Sequence, residues 1–545
     1  MFLFYPSGFR GSHRAAGRLD RLKAAAQLDD CACLSAPMRL PFPERIIPWH
    51  AGCFAALLCA FELLLGTPPL FAGCVFAYIM MATIAFNLAG GLYRASGAYI
   101  FANSILSLIL AQCAKVVFGE SADSNLRDPM TTILVFTAGM AGMLLAVFVS
   151  RRLIPKVALL ELGDVPEDSR QIAIGCIALG IGMPFIAGFL GNNEPGSISS
   201  ALNQFTQFLP LGIVLSTYDE IRSSGGRRSL NGFIVFGGLF MIAFWGILAT
   251  SKQGLFTPLV TYGVACAALR YKFRPSGIAA MAIVVFFTVY YLVPYSQVVR
   301  NYTRSIYDIS ERMDTSIYWL EHLDEVRAEN DKSSEDALGI GPHYYTQNRG
   351  FLERLSMIGI DDSLIDVADN GPKFGYQPMI FAVENIIPHF VWPDKPNTNY
   401  NNVYGHEVGI LADEDEDTSV SFGPSADGFN MGGWPGVFLL LPIVMTLLFA
   451  VVDSVSGSIK KSPWGLIYTV LFLHIGPEGS LGACVGAAFQ TTVVLVLTVF
   501  TARHALPLIG SLFFPERRKS VLMRNVRDFP KAAVADPPEA AGGPL

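Results

Sequence analysis

Long apolar runs recur along this chain, most of them about 18–22 residues, the length that crosses roughly 30 Å of hydrocarbon at 1.5 Å per residue. They fall at 46–65, 69–90, 97–118, 130–149, 171–190, 198–216, 231–250, 254–269, 277–294, 433–452, 463–475 and 480–500. The eighth and eleventh are the shortest. Only 15% of residues are charged and 52% are hydrophobic, with a mean hydropathy of +0.42. A soluble domain carries roughly 25% charge to meet water, so lipid is the solvent this composition suits. A lipid-exposed backbone must satisfy its own hydrogen bonds, which makes separated runs helices. The expected fold class is an all-α polytopic membrane protein. It has about twelve transmembrane helices and one large, partly helical extracytoplasmic loop.

Basic residues near span ends stay in the cytosol, so charge tests this map independently. One set of connections carries Arg94, Arg151-Arg152-Lys156, Arg222 with Arg227 and Arg228, Arg270-Lys272-Arg274, Lys460-Lys461 and Arg517-Arg518-Lys519. The alternate set holds 119–129, with Glu120, Asp123 and Asp128 against Arg127, then Gly191 to Glu194, Lys252, a long loop and Pro477-Glu478. Every second connection is basic. Twelve spans with both termini in the cytosol give that pattern; merging the last two spans would make eleven and move the C-terminus outside. The expected division is a cytosolic tail over 1–45, helices one to nine over 46–294, a large periplasmic loop over 295–432, helices ten to twelve over 433–500 and a cytosolic tail over 501–545.

The loop of 138 residues carries 24 of the 45 acidic residues and nine Lys or Arg. A connection this long is functional or forms a small domain. Ile317, Leu320 and Leu323 predict a helix from Thr315 to Ala328, broken by Asn330 to Glu335. A second helix is expected from Tyr345 to Ile358 on Phe351, Leu352 and Leu355. Pro378 to Trp392 is apolar and suits a membrane surface. Asp413 to Asp417 reads as a solvated acidic turn, with a calcium site as the alternative, although the Asp-x-Asp-x-Asp-Gly pattern is missing.

The first forty residues carry Arg10, Arg14, Arg18, Arg21 and Lys23 without a long apolar stretch, which reads as a cytosolic tail, with Met38 as an alternative start. Of nine cysteines, Cys31 and Cys33 lie in that segment and the other seven in apolar runs, so neither a disulfide framework nor a metal spacing emerges. The tail from Val521 is rich in Pro, Ala and Gly, a composition that favours disorder. No internal repeat, phosphate-binding loop, His-Glu-x-x-His or Gly-x-Ser-x-Gly is present, and nothing points to nucleic acid, a cofactor or a metal.

Candidate chemistry therefore lies in polar groups on the outer side. Lys252, in Ser251-Lys252-Gln253-Gly254, either snorkels or contacts an anion. Arg300 and Arg304 share a helical face and can grip a phosphate or pair with the loop's own carboxylates. Arg349 and Arg354 form a second basic pair, suited to phosphate, sugar or loop packing. In Ile387 to Pro396, three prolines fix the backbone, Phe390 and Trp392 offer stacking faces, and Asp394 can pair with Lys395. Proton-transfer candidates are Glu384, His389, His406, Glu407, Asp427, His474 and Glu478. Glu478 sits in a short turn between apolar spans, where an ionisable group is a functional candidate or a plain exposed turn residue.

Four elements resemble the oligosaccharide repeat-unit polymerases, the Wzy-type O-antigen polymerases. They are Ser251-Lys252-Gln253-Gly254, Tyr295 to Arg300, Ile387-Pro388-His389-Phe390-Val391-Trp392-Pro393-Asp394-Lys395-Pro396, and Gly428-Phe429-Asn430-Met431-Gly432-Gly433-Trp434-Pro435-Gly436. The resemblance covers roughly residues 50–500, and Trp-Pro-Asp-Lys-Pro is its most specific part. The chain departs from it at Ala426-Asp427, where many relatives carry Glu, and at His389, where Arg is frequent. The resemblance implies a bacterial inner-membrane glycosyltransferase that joins polyprenyl-diphosphate-linked oligosaccharides on the periplasmic face without a cofactor. One lipid-linked chain is the donor and another the acceptor; a chain-length regulator and a flippase are the protein partners it leaves open. On that reading Asp427 and Glu478 are catalytic candidates. Lys252, Arg300, Arg304 and Arg349 would meet the diphosphate, and His389, Trp392 and Lys395 the sugars. Three alternatives stand beside it: an O-antigen ligase, a transporter of lipid-linked glycans, and a membrane scaffold. Against a transporter, the spans carry few charges, Glu62 being the main one.

Overall fold

A computed structural model describes residues 37–161, 169–190, 204–303, 306, 309–336, 343–346, 355–387, 392, 395, 398–416 and 418–506. The elements are β1 (Met38–Arg39), α1 (Pro48–Leu64), α2 (Pro69–Ala89), α3 (Ala95–Phe118), α4 (Pro129–Leu153), α5 (Ser169–Leu190), α6 (Phe208–Ser223), α7 (Gly232–Leu248) and α8 (Lys252–Ala268). Then follow β2 (Lys272–Phe273), α9 (Pro275–Thr303), α10 (Ile309–Glu321), α11 (Leu323–Asp336), α12 (Ile358–Asn370), α13 (Gln377–Glu384), α14 (Tyr400–Glu407), α15 (Pro424–Gly432), α16 (Gly436–Ser456), α17 (Leu466–Glu478) and α18 (Leu481–His504). Among the described residues, seven helices are long and apolar enough to cross a membrane: α2, α3, α4, α5, α9, α16 and α18. The helices α1 and α7 and the stretch Pro463–Leu473 are apolar but shorter.

Proline starts α1, α2, α4 and α9, where its missing N–H costs nothing. Within the bundle α2 packs on α4, α4 on α16, and α3 on α17. Aromatic side chains fill the centre: Tyr99 meets Phe449 at 5.6 Å and Phe472 at 5.9 Å between ring centroids. Large apolar side chains also line the outside. Pro275–Phe287 buries no residue, and Ile283, Phe286, Phe438, Ile443, Leu497 and Phe500 are exposed. Such a surface is stable only against lipid or protein.

The two ends of the bundle differ. At one end Ser96 donates from N and Oγ to Asp453, at 3.2 and 2.6 Å, and Arg151 approaches Asp453 at 3.8 Å. Lys460 pairs with Glu44, Lys461 pairs with Glu161, and β1 pairs antiparallel with β2. The Arg94, Arg151, Arg270 and Lys460 connections thus meet on one face. At the far end of α4, a helix of 25 residues, loop segments dock. Asp362 accepts from Arg127 N at 2.6 Å, Asp128 N at 3.2 Å and Thr132 Oγ1 at 2.8 Å. Tyr344 donates to Ala122 O, and buried Lys115 bridges Glu120 at 2.8 Å and Ser124 Oγ at 2.7 Å.

Several boundaries differ from expectation. The ninth span continues unbroken to Thr303, so the polar segment begins on a helix. The break expected at Asn330 to Glu335 lies instead at His322, and α11 runs through those residues. The helix continues through them once Leu323 and Val326 anchor its start against Tyr295 and Val299. The helix expected from Tyr345 is not formed at 345–346 or 355–357, while Phe351 and Leu352 lie outside the described residues. Helix α12 starts where that helix was expected to end.

Candidate functional site

The polar face of the loop end converges on α15. Residues 418–423 run into its N-terminus, where Gly423 N–H donates to Asp361 Oδ1 at 2.8 Å. A Cβ on Gly423 would stand 2.5 Å from Asp361 Oδ2, so glycine is what allows this approach. One turn further, Asp427 is 1% exposed. Its Oδ2 accepts from Leu481 N at 2.8 Å, at the first turn of α18, which Ser480 caps through Ala483 N at 3.2 Å. A carboxylate suits the positive end of a helix. Its other oxygen, Oδ1, has no hydrogen-bond partner among the described residues. The Tyr404 hydroxyl lies within interaction range of Asp427 and Asn430. Tyr404 Oη and both side-chain polar atoms of Asn430 are likewise buried without a formed bond.

Burial dominates the acid-base character. It pushes the Asp427 carboxyl up to about 6, against the pull of the Leu481 N–H. It pushes Asp361 up to about 7; the Gly423 N–H opposes this, and the charges of Asp427 and Asp362 add to it. Carboxyls that titrate near neutrality can take or give a proton at working pH.

The Gly-rich segment after Asp427 has a physical role. Gly436 packs directly on the Gly428 carbonyl, where a Cβ has no room. Phe374 N and Gly375 N donate to Asn430 O and Met431 O, at 2.9 and 3.1 Å. Lys373 Nζ then sits 4.5 Å from the Phe429 ring centroid and bonds Ala368 O. Phe429, Trp434 and Phe438 form an aromatic series, with successive centroids 5.4 and 5.7 Å apart. From Trp434 and Phe438 an apolar groove of about 580 Å³ runs between α2 and α4 past Met81, Leu134 and Ala138.

The expected residues fall into two groups. Asp427 bonds the turn that follows Glu478, the exposed last residue of α17. Helix α13 packs on the first turn of α18 and leads to Lys395, whose Nζ donates to Ile387 O at 2.8 Å. Burial lowers the Lys395 pKa, and Trp392 is 37% exposed. The second group is Lys252 with Arg300. Ser251 caps α8, Lys252 is its first residue, and Arg300 Nη2 donates to Thr250 O at 2.9 Å. Helices α8 and α17 pack antiparallel, with Ala265 and Leu466 in one cluster, so Lys252 and Glu478 share an end of the bundle. Arg304, Arg349 and His389 lie outside the described residues, as do Arg354, Phe390, Asp394, Cys31, Cys33 and the C-terminal tail.

Sequence reasoning passed over Asp361, Asp362, Tyr404, Asn430 and Lys373. The readable signal was in α12. Ile358, Ile365 and Ala368 mark one helical face, and Asp361 and Asp362 fall on it. Carboxylates on an apolar face need a buried partner. Comparison with protein-family models, curated proteins and solved structures finds no match for this chain.

Proposed function

We propose that the chain is a glycosyltransferase of the bacterial inner membrane. It joins polyprenyl-diphosphate-linked oligosaccharide repeat units into a surface polysaccharide on the periplasmic side. In this reading the bundle crosses twelve times, both termini are cytosolic and 295–432 faces the periplasm. The observation that carries the proposal is Asp427: a buried carboxyl titrating near 6, with one oxygen anchored and the other unbonded beside Tyr404 and Asn430. It lies in the loop whose sequence resembles the repeat-unit polymerases.

The chemistry follows from those groups. The acceptor hydroxyl loses its proton to Asp427 Oδ1 as its oxygen bonds to the donor's anomeric carbon. The bond from that carbon to the diphosphate breaks, and polyprenyl diphosphate leaves. Lys252 and Arg300, with Arg304 and Arg349, supply positive charge where the leaving group gains negative charge. Trp392, His389 and Lys395 meet the sugars, and Glu478 is the second carboxylate within the same end. The apolar groove at Met81, Leu134 and Phe438 suits a polyprenyl tail.

The test is the glycan length profile of a deletion strain complemented with wild type, Asp427→Asn or Arg300→Ala. Single repeat units in the deletion, a ladder with wild type and at least a ~100-fold loss of ladder with Asp427→Asn are expected for a lost general base. Intact polymer held on its lipid carrier in the deletion would mean a ligase. Unchanged polymer and attachment would remove glycosyl transfer altogether.

A further inference from the structure

The end of the bundle opposite Asp427 holds a cavity of about 360 Å³. It opens between the C-terminal end of α8, the α16–α17 connection, Tyr218 of α6 and Tyr93 ahead of α3. Its polar wall is Arg270, Lys460, Lys461, Ser462 and the two tyrosines. Its other wall is apolar, with Leu269, Ile459 and Leu466. The volume lies in the range of small-molecule sites.

Charge in this cavity is unevenly satisfied. Lys460 pairs with Glu44 and Lys461 with Glu161 at 3.1 Å, and neither carboxylate lines the cavity. Arg270 forms no ion pair among the described residues; its side-chain hydrogen bond is Nε to the Tyr93 hydroxyl at 3.5 Å, a long one, and Glu44, already paired with Lys460, acts on its charge only from a distance. The backbone at Arg270 is left-handed, with φ 55°. An arginine in that region carries a steric cost that glycine would avoid. The side chain set there by that backbone is a planar donor fork, the geometry that grips phosphate oxygens.

We propose that this cavity binds the phosphodiester headgroup of an anionic membrane phospholipid. Arg270 grips the phosphate, the tyrosine hydroxyls and Lys460 and Lys461 surround it, and the apolar wall receives the glycerol. The proposal rests on the reading that this basic end meets the cytosolic leaflet, whose anionic lipids attract basic pockets between helices. It is independent of glycosyl transfer.

The test uses the full chain purified in detergent and titrated with phosphatidylglycerol or phosphatidylcholine, with bound lipid read by native mass spectrometry. Wild type is expected to retain phosphatidylglycerol over phosphatidylcholine. Arg270→Gly is expected to weaken that retention about five-fold, the worth of one basic residue near a charged surface. Glycine also relaxes the left-handed backbone, so the loss does not come from a failed fold. Arg228→Ala removes an exposed cation that does not line the cavity and is expected to leave retention unchanged. Equal retention by Arg270→Gly, or an equal loss in Arg228→Ala, would overturn the site. Displacement of the lipid by millimolar inorganic phosphate would overturn the headgroup assignment and make this a soluble-anion site.

Discussion

Asp361 ties the acid-base behaviour of the site to its stability. Its carboxyl titrates at about 7 in the fold against an ordinary 3.8. Between those values the folded chain binds a proton that the unfolded chain has lost, so this group's contribution to stability falls as pH rises from about 4 to about 7. Each unit of that rise corresponds to about 1.4 kcal/mol. Asp361→Asn keeps an acceptor for the Gly423 N–H without the buried charge. Its melting temperature should exceed wild type at pH 7.5 and converge with it at pH 4.5; parallel profiles would remove Asp361 as the source. Gly423→Ala forces a methyl against the Asp361 carboxylate and should cost about 1–3 kcal/mol, read as a lowered melting midpoint. Lys115→Met strips the partner from Glu120 under Tyr344 and should cost about 3 kcal/mol or more in the same assay. The Asp427 position was legible because an acid stood before a Gly-rich segment. Tyr404 and Asn430 were not, since their part arises only when the fold brings the Tyr404 hydroxyl of α14 to Asp427 and Asn430 of α15.

Elements were legible where one physical rule governed them. Apolar length marked α2, α4 and α16 to within a few residues. The loop followed weaker rules. Asn330 to Glu335 look like a helix breaker, yet α11 continues, because its start is anchored by Leu323 and Val326. Helix α15 was hidden for the opposite reason: Pro424 to Gly432 is glycine-rich, with poor helix propensity, and it forms because its backbone is received by Gly375 and Phe374 on one side and Gly436 on the other. Substituting Gly436 by Ala should therefore displace α15 and, with it, Asp427 from Leu481. Loss of hydrogen-exchange protection at the Leu481 amide would report this, and unchanged protection there would show that α15 is held by its other contacts alone.

At the scale of the molecule, the two ends of the bundle carry different groups. Lys460 and Lys461 mark one; Asp361, Asp427 and Glu478 mark the other. In a cysteine-free background, Glu478→Cys should react with a membrane-impermeant maleimide on intact spheroplasts, and Lys460→Cys only after permeabilisation. Reversal of that pattern would invert the bundle, and labelling of both from outside would end the alternating map.

The Ser96–Asp453 contact joins residues 357 positions apart. A ribosome adding 5–20 residues per second needs roughly 20–70 s between the two. During that interval the start of α3 is already made while its acidic partner does not yet exist. The first half of the bundle must therefore wait in the membrane, its polar seam open to whatever the insertion machinery provides, until α16 arrives to close it.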